Sequence, residues 1–497
     1  MRPIHLVPAA VVLLALGAIA GAAQLARPAP PGSSPAGPPA RQVAVTSATR
    51  ACPPVPGGGT GKVAFIAGPA PAPSSGPVSG QAELTPLPLA GASLRGAGPI
   101  TQTEPGALSL LTVPAAHSAS QRGTQALQGW SVTATGTLAQ AMEAEEATSS
   151  GLASVRCGEP GSDLWFVGPG STNGAGQIQL DLMNVDALAA SVDVSIITDA
   201  GPVQAGDEEG ITVPPHQTVT ESISAAAAGA SVVAIEVRTS IGRVAADVSE
   251  SSSSGGTASW LPSAAAPSTR LVVPGVPPSS SPAGLFIVVP GGSNATVSVL
   301  ALTSQGPYRP FGTQTIDLPP DSASYVALTA LGGGASALEL TADVPVTAAV
   351  LVPGSGLGAF TAATAPISEQ AVVAGNTSGS GPGATIVLSA PAAAARARLT
   401  EITASGAGPA GPGAAGSQVV SVAAAHTLTV QAAAPRSAKP GAAFAIVITP
   451  LAGSGPLYAA RVETQGQNTV VSIIPAVSAL TTISLPPVRD SYEAILP

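Results

Sequence analysis

The chain has 497 residues, of which 45% are hydrophobic and only 9% charged. That length leaves room for domains of roughly 100–200 residues each, with enough apolar material for sizeable cores. The net charge is −9 and aromatic residues make up 3%, so the basic stripe and stacking aromatics of a nucleic-acid binder are missing and nucleic acid is excluded as a partner.

The N-terminus carries the first predicted element. Arg2 is followed by an uncharged apolar run, Leu6–Ala23. This run is just long enough to cross a bilayer as a helix, and it also has the features of a signal peptide. We therefore predict a signal peptide or signal anchor over residues 1–23. The rest of the chain is expected to be extracytoplasmic, either secreted or held to the membrane if the segment stays uncleaved.

Residues 24–50 are rich in Pro and Ala, a composition that predicts a semi-extended linker. The two cysteines of the chain follow, Cys52 and Cys157. An even cysteine count in an exported chain suggests a disulfide, with two buried free thiols as the alternative. The histidines form no ligand spacing with either cysteine, so no metal site is predicted.

Between the cysteines, Leu138–Thr148 is the best candidate for a helix. Its carboxylates, Glu143, Glu145 and Glu146, are expected on a solvated face. Residues 51–163 as a whole are interpreted as a divergent N-terminal β-rich unit.

Internal repeats follow. Residues 177–201, 284–306 and 383–406 each contain an apolar strand, a small polar break, a second alternating strand and a closing glycine. Apolar residues recur with a period of two, which indicates half-buried strands. We predict three β-sandwich repeats, over residues 164–270, 271–370 and, in degraded form, 371–497.

The predicted fold class is therefore all-β, with tandem immunoglobulin-like β-sandwich repeats behind an N-terminal transmembrane or signal helix. A β-propeller is the alternative, although a propeller blade needs only four strands and the repeat is longer than that.

Two motifs resemble a known family. They are Cys52-Pro-Pro and the run from Cys157 through Asp163-Leu-Trp165-Phe-Val-Gly168. Together with the β-repeats, they resemble an actinobacterial family of exported proteins, the domain-of-unknown-function family five-seven-one-nine, over roughly residues 50–490. The resemblance implies an envelope location behind an N-terminal apolar segment. It implies no activity and supplies no catalytic residue.

Three aromatic residues, Trp165, Trp260 and Phe360, are expected to be structural anchors in the cores. Trp165 follows Cys157 closely, which favours packing against the disulfide over a sugar-binding platform. Trp260 and Phe360 stand at equivalent repeat positions, which favours packing more strongly.

No catalytic, cofactor-binding or metal-ligating residue is predicted. The chain lacks the G-x-S-x-G motif of serine hydrolases. Its glycine-rich stretches, 168–174 and 379–383, are interpreted as turns, and Asp207–Glu209 as a solvated hairpin loop rather than a weak Ca²⁺ site.

Two functions remain open. The first is a non-catalytic exported cell-envelope protein, a scaffold or interaction module whose partners are envelope proteins or glycans. The second is an enzyme or accessory subunit acting on cell-wall glycans, which needs paired carboxylates in a cleft. Its candidates are Asp181, Asp193, Asp247 and Glu236, although strand alternation predicts the solvent face for Asp181.

Overall fold

A computed structural model describes residues 41–485, with gaps at 57–59, 69–78, 92–99, 104, 107, 114–127, 150–152, 204–209, 254–257, 279–280, 330, 332–333, 355–357, 378–382, 404–405, 408–415, 434–441 and 466–468. The predicted signal or anchor segment and the loop 207–209 lie outside these residues. The described chain is all-β, with short 3-10 turns at Gly136–Ala139 and Ser171–Asn173.

The chain divides into two compact units, residues 1–43 with 482–497, and residues 44–481. In the first, the described residues belong to two paired strands, β1 (Arg41–Ala44) and β36 (Thr482–Leu485). The second, called the large unit below, contains all the other strands. β1 and the start of the next strand fall within residues 24–50, the segment predicted to be a linker.

The described strands of the large unit form four repeats. Repeat 1 contains β2 (Ser47–Cys52), β3 (Gly61–Ile66), β4 (Ala82–Pro88), β5 (Ile100–Gln102), β6 (Leu108–Val113), β7 (Gln128–Thr135), β8 (Glu143–Thr148) and β9 (Ser154–Arg156). Repeat 2 contains β10 (Asp163–Pro169), β11 (Ala175–Asn184), β12 (Ala190–Thr198), β13 (Gly201–Pro202), β14 (Ile211–Val213), β15 (Gln217–Ser222), β16 (Val232–Ile241), β17 (Ala245–Ser252) and β18 (Ser259–Leu261).

Repeat 3 contains β19 (Ser268–Val276), β20 (Ala283–Val289), β21 (Ala295–Thr303), β22 (Gly306–Tyr308), β23 (Ile316–Leu318), β24 (Ser322–Leu328), β25 (Ser336–Val352) and β26 (Ala359–Ala362). Repeat 4 contains β27 (Ala371–Thr377), β28 (Gly383–Ala390), β29 (Ala395–Thr403), β30 (Gly406–Ala407), β31 (Ser417–Val422), β32 (His426–Gln431), β33 (Ala443–Pro450), β34 (Tyr458–Gln465) and β35 (Thr469–Ala476).

All four repeats have the same strand order in two facing sheets. In repeat 1 the sheets are β2-β7-β4-β5 and β6-β3-β8-β9, and the corresponding strands of repeats 2 and 4 pair in the same way. In repeat 3 the long strand β25 serves both sheets: its first half pairs with β19 and β21, and its second half with β20 and β26. The N-terminal unit, expected to be divergent, therefore has the topology of the others.

Each repeat has its own core between its two sheets. In repeat 1 this core includes Val63 and Phe65 of β3, Leu84 of β4 and Val132 of β7. Alternate residues of each strand point inwards, which is the period of two seen in the sequence. Three further clusters of buried aliphatic residues fill repeats 2, 3 and 4.

The four repeats close into a ring. The second sheet of each repeat contacts the first sheet of the repeat before it: β15 contacts β4, β24 contacts β12, and β32 contacts β21. Repeat 1 completes the circle, because its strands β8 and β3 contact β27 and its strand β6 contacts β33 of repeat 4. The ring thus contains eight sheets in succession, and a propeller also arranges its sheets around a circle. In a propeller, however, each sheet is a meander of four consecutive strands, which these sheets are not.

The predicted helix over Leu138–Thr148 is wrong. Residues 143–148 form β8, which pairs with β3 throughout its length, and Glu143, Glu145 and Glu146 are buried rather than solvated. Helix propensity is only a weak preference, and here the pairing of β8 with the central strand β3 overrides it.

Gly275 marks a close approach between repeats 3 and 4. It has φ +75°, and a Cβ built on it would lie 2.3 Å from the Cβ of Ala460. Gly229 has a similar φ of +79°, but a Cβ there would meet nothing within 4 Å. We expect Gly275→Ala to lower the free energy of unfolding by about 1–3 kcal/mol more than Gly229→Ala, because both variants carry the backbone strain and only one adds overpacking. Urea unfolding of both variants measures the difference, and equal effects would contradict the packing.

Candidate ligand-binding cavity

A cavity of about 360 Å³ lies at the centre of the ring. The last strands of successive repeats contact each other in turn, β9 with β18, β18 with β26, β26 with β35, and β35 with β9. The cavity is bordered by these strands and the segments that follow them, so all four repeats contribute to its wall. The volume falls within the range of small-molecule sites, roughly 300–1,000 Å³.

The cavity wall is mostly apolar, with a few polar groups. Its apolar part includes Val155, Leu164, Trp260 and Ile473. The polar part comprises Ser154, Arg156, Glu159, Asp247, Ser263 and Thr364. A largely apolar wall with a few convergent polar groups is typical of a binding site for a small organic molecule.

Three of the bordering residues hold a buried polar atom with no hydrogen-bond partner in the described chain. These atoms are Oδ2 of Asp247, Nε1 of Trp260 and Oγ1 of Thr364, and the three residues are 3%, 3% and 6% exposed. Such atoms are not confined to the cavity, because Glu146, Glu250 and Trp165 hold others elsewhere in the described chain.

The charge of Arg156 is compensated within the protein. Its Nε and Nη2 atoms donate to Oε2 of Glu143 at 2.9 and 2.6 Å, and Nε of Arg50 lies 3.3 Å from the other oxygen. Burial opposes the guanidinium charge, but the carboxylates of Glu143 and Glu159 outweigh it and raise the pKa of Arg156. The cation at the cavity edge is therefore already paired.

Three acidic side chains meet between repeats 1 and 2. Asp181 of β11 and Asp247 of β17 are direct cross-strand partners, and Glu146 of β8 interacts with both. Burial raises the pKa of Asp181 to about 7, although Thr220 donates a hydrogen bond of 2.6 Å to its carboxyl group. Burial, followed by the repulsion of neighbouring carboxylates, raises the pKa values of Asp247 and Glu146 well above their usual range.

This cluster makes stability depend on pH. Asp181 keeps its proton in the folded chain up to about pH 7, whereas an unfolded aspartate loses it near pH 4. The stabilisation is thus complete below about pH 4 and is lost as the pH rises towards 7. Asp181→Asn should flatten this fall by up to about 1.4 kcal/mol per pH unit. Thr220→Val should shift the fall to higher pH, because it removes the bond that favours the anion. Urea unfolding from pH 4 to 8 tests both, and unchanged slopes would contradict the burial.

The four candidate carboxylates lie in two different sheets of repeat 2. Asp181 and Asp247 stand together, but only Asp247 borders the cavity. Asp181 is 4% exposed, so its predicted position on the solvent face is wrong: that face of the sheet packs against repeat 1. Asp193 and Glu236 belong to the other sheet, where Asp193 accepts a bond from the backbone of Gly210 and Glu236 pairs with Arg238.

The aromatic residues singled out in the sequence are all buried. Trp165 packs with Phe286 in a cluster shared by repeats 2 and 3. It does not pack against the disulfide, a position taken by Trp130, the cross-strand partner of Cys52. Trp260 borders the cavity, and Phe360 joins the core of repeat 2.

The disulfide prediction is confirmed. Cys52 and Cys157 are bonded, and both are fully buried in the core of repeat 1. The bridge therefore links the first strand of this repeat to the segment after its last strand. Among the described residues, no cluster of His, Cys, Asp and Glu is arranged to hold a metal ion. Within the same residues, no helix is long and apolar enough to cross a membrane.

The fold and cavity define a class of protein: a ring of four two-sheet β repeats around a small central cavity. A family model described as a family of unknown function, DUF5719, matches residues 115–433, which is more than half of the chain. The chain belongs to this family. No curated protein and no solved structure matches it.

Proposed function

We propose that this protein is a non-catalytic exported component of the cell envelope that acts as a scaffold or interaction module. The observation that carries the proposal is the ring. At each interface between repeats, strand faces and polar side chains serve to hold the repeats together. The buried Glu145 of repeat 1, for example, accepts bonds from the backbone of Ala374 and Gly375 and from Arg461, all in repeat 4. Such a ring presents a fixed outer surface to its partners.

We also propose that each repeat is a variant of the immunoglobulin-like sandwich. Counting the strands of repeat 1, the second pairs with the fifth and the third with the sixth, as strands B with E and C with F do in immunoglobulin domains. The first and seventh strands of this repeat occupy each other's usual places, since the first pairs with the sixth and the seventh with the second. The corresponding strands of the other repeats pair in the same way, with one additional short strand counted before the fifth. This exchange distinguishes the repeats from the immunoglobulin order.

An extracytoplasmic location forms part of the proposal. The bridge between Cys52 and Cys157 is compatible with an oxidising compartment, and the apolar run Leu6–Ala23 supplies the export signal. The test is alkylation of thiols in intact cells that express the full chain, followed by mass spectrometry. The proposal predicts an unalkylated bridge and protease sensitivity from outside the cytoplasmic membrane. Alkylated cysteines in a protease-protected chain would overturn it.

The alternative, action on cell-wall glycans, is favoured by the facing pair Asp181 and Asp247. Glycosidases of the common types need one ionised carboxylate beside one protonated acid. Here burial raises the pKa of both, which supports the non-catalytic reading. Incubation of the full chain with purified peptidoglycan and polysaccharide separates the two functions. Release of reducing sugars that is lost in Asp247→Asn would favour the enzyme.

A further inference from the structure

The central cavity is a feature of the ring that does not depend on a scaffold role or on an extracytoplasmic location. Its wall is completed only when the ring closes, because strands from all four repeats border it. Ser263, Ala266 and Ala365 border the cavity and are exposed to solvent, so the cavity opens on that side. A small molecule has a route in.

The chemistry of the wall restricts the ligand. The guanidinium of Arg156 is paired with Glu143, and Glu159 is near the guanidinium of Arg50, 3.6 Å away. Burial raises the pKa of Asp247 and so opposes a negative charge on its carboxyl group. A charged ligand would therefore enter a largely apolar space without an unpaired counter-charge, and desolvation would oppose it.

The apolar part of the wall indicates the body of the ligand. Val155, Leu164 and Ile473 border the cavity with aliphatic side chains, which favour an apolar surface. The unpartnered atoms of Asp247, Trp260 and Thr364 have almost no accessible surface, so they lie behind the wall and do not select the ligand.

We propose that the central cavity is a binding site for a small uncharged molecule with an apolar body. The apolar body packs against the aliphatic wall. The ring of repeats is then a ligand-binding protein as well as a scaffold.

The test uses three probes of one shape: cyclohexanol, cyclohexanecarboxylate and cyclohexylammonium. Binding to the full chain is followed by saturation-transfer NMR titration. The proposal predicts saturable binding of cyclohexanol and at least tenfold weaker binding of both charged probes. No saturable binding of cyclohexanol up to its solubility, or equal binding of a charged probe, would overturn it.

Two variants locate the site. Ala266→Trp places a bulky side chain at the exposed mouth, and it should weaken cyclohexanol binding at least tenfold, whereas Ala200→Trp on an exposed turn of repeat 2 should leave it unchanged. Unchanged cyclohexanol binding in Ala266→Trp would overturn the assignment.

Discussion

Replacing Arg461 with methionine is expected to lower the free energy of unfolding by roughly 3–5 kcal/mol. Arg461 is 1% exposed and donates from Nη1 to Glu145 at 2.8 Å and from Nη2 to Ser154 at 3.1 Å. These two partners belong to repeat 1, so the side chain joins the last repeat to the first. Loss of the guanidinium leaves the carboxylate of Glu145 buried without a counter-charge. Removing one partner of a buried ion pair in this way is strongly destabilising.

The matched control is Arg243→Met. Arg243 also pairs with a carboxylate, Asp186, at 2.9 Å, but both side chains are substantially exposed. Exposed pairs contribute about 0–1 kcal/mol. Urea unfolding of both variants should therefore give clearly different losses. A double-mutant cycle with Glu145→Gln should show coupling, because the two side chains share one interaction. Equal small losses in Arg461→Met and Arg243→Met would contradict the closing contact.

Removing the disulfide is expected to have an effect of similar size. The bridge between Cys52 and Cys157 spans 105 residues, and a loop of that length corresponds to about 4.7 kcal/mol in the loop-entropy model. The double variant Cys52→Ala with Cys157→Ala should lose about 2–5 kcal/mol. Both sulfurs are also part of the buried core of repeat 1, so lost packing adds to the effect.

Reduction provides the control for the disulfide variant. A reducing agent should lower the melting temperature of the parent chain towards that of the double alanine variant, and it should leave the variant itself unchanged. A parent chain that melts at the same temperature with and without reductant would contradict a stabilising role for the bridge.

The sequence predicted the β class and the disulfide, because these depend on the local period of two and on the cysteine count. It did not predict that residues 51–163 share the common topology. In that repeat the strands are separated by long, biased segments such as 69–78, which hide the spacing.

The buried carboxylates are the main point where sequence reasoning failed. Glu143, Glu145 and Glu146 follow each other closely, a pattern that favours solvent. Their partners lie far along the chain, as Arg461 does for Glu145, so the pairing is visible only after the ring closes. The one local signal was Arg461 itself, a cation that follows Ala459 and Ala460 in strand β34.

The cavity could not be predicted from the sequence for a similar reason. Trp260 and Asp247 were both singled out, Trp260 as a packing anchor and Asp247 as a strand carboxylate. Thr364 carried no signal, because one threonine after a strand is unremarkable. The three residues share a site only because the last strands of four repeats meet at one axis.

The ring is the central claim, and small-angle X-ray scattering of residues 44–481 tests it most directly. A ring of four repeats is compact, and a compact chain of this length has a radius of gyration of about 22 Å. A closed ring is expected to give that value and a distance distribution with a single maximum. A markedly larger radius with an elongated distribution of several maxima, as for four domains on a string, would contradict the closed ring.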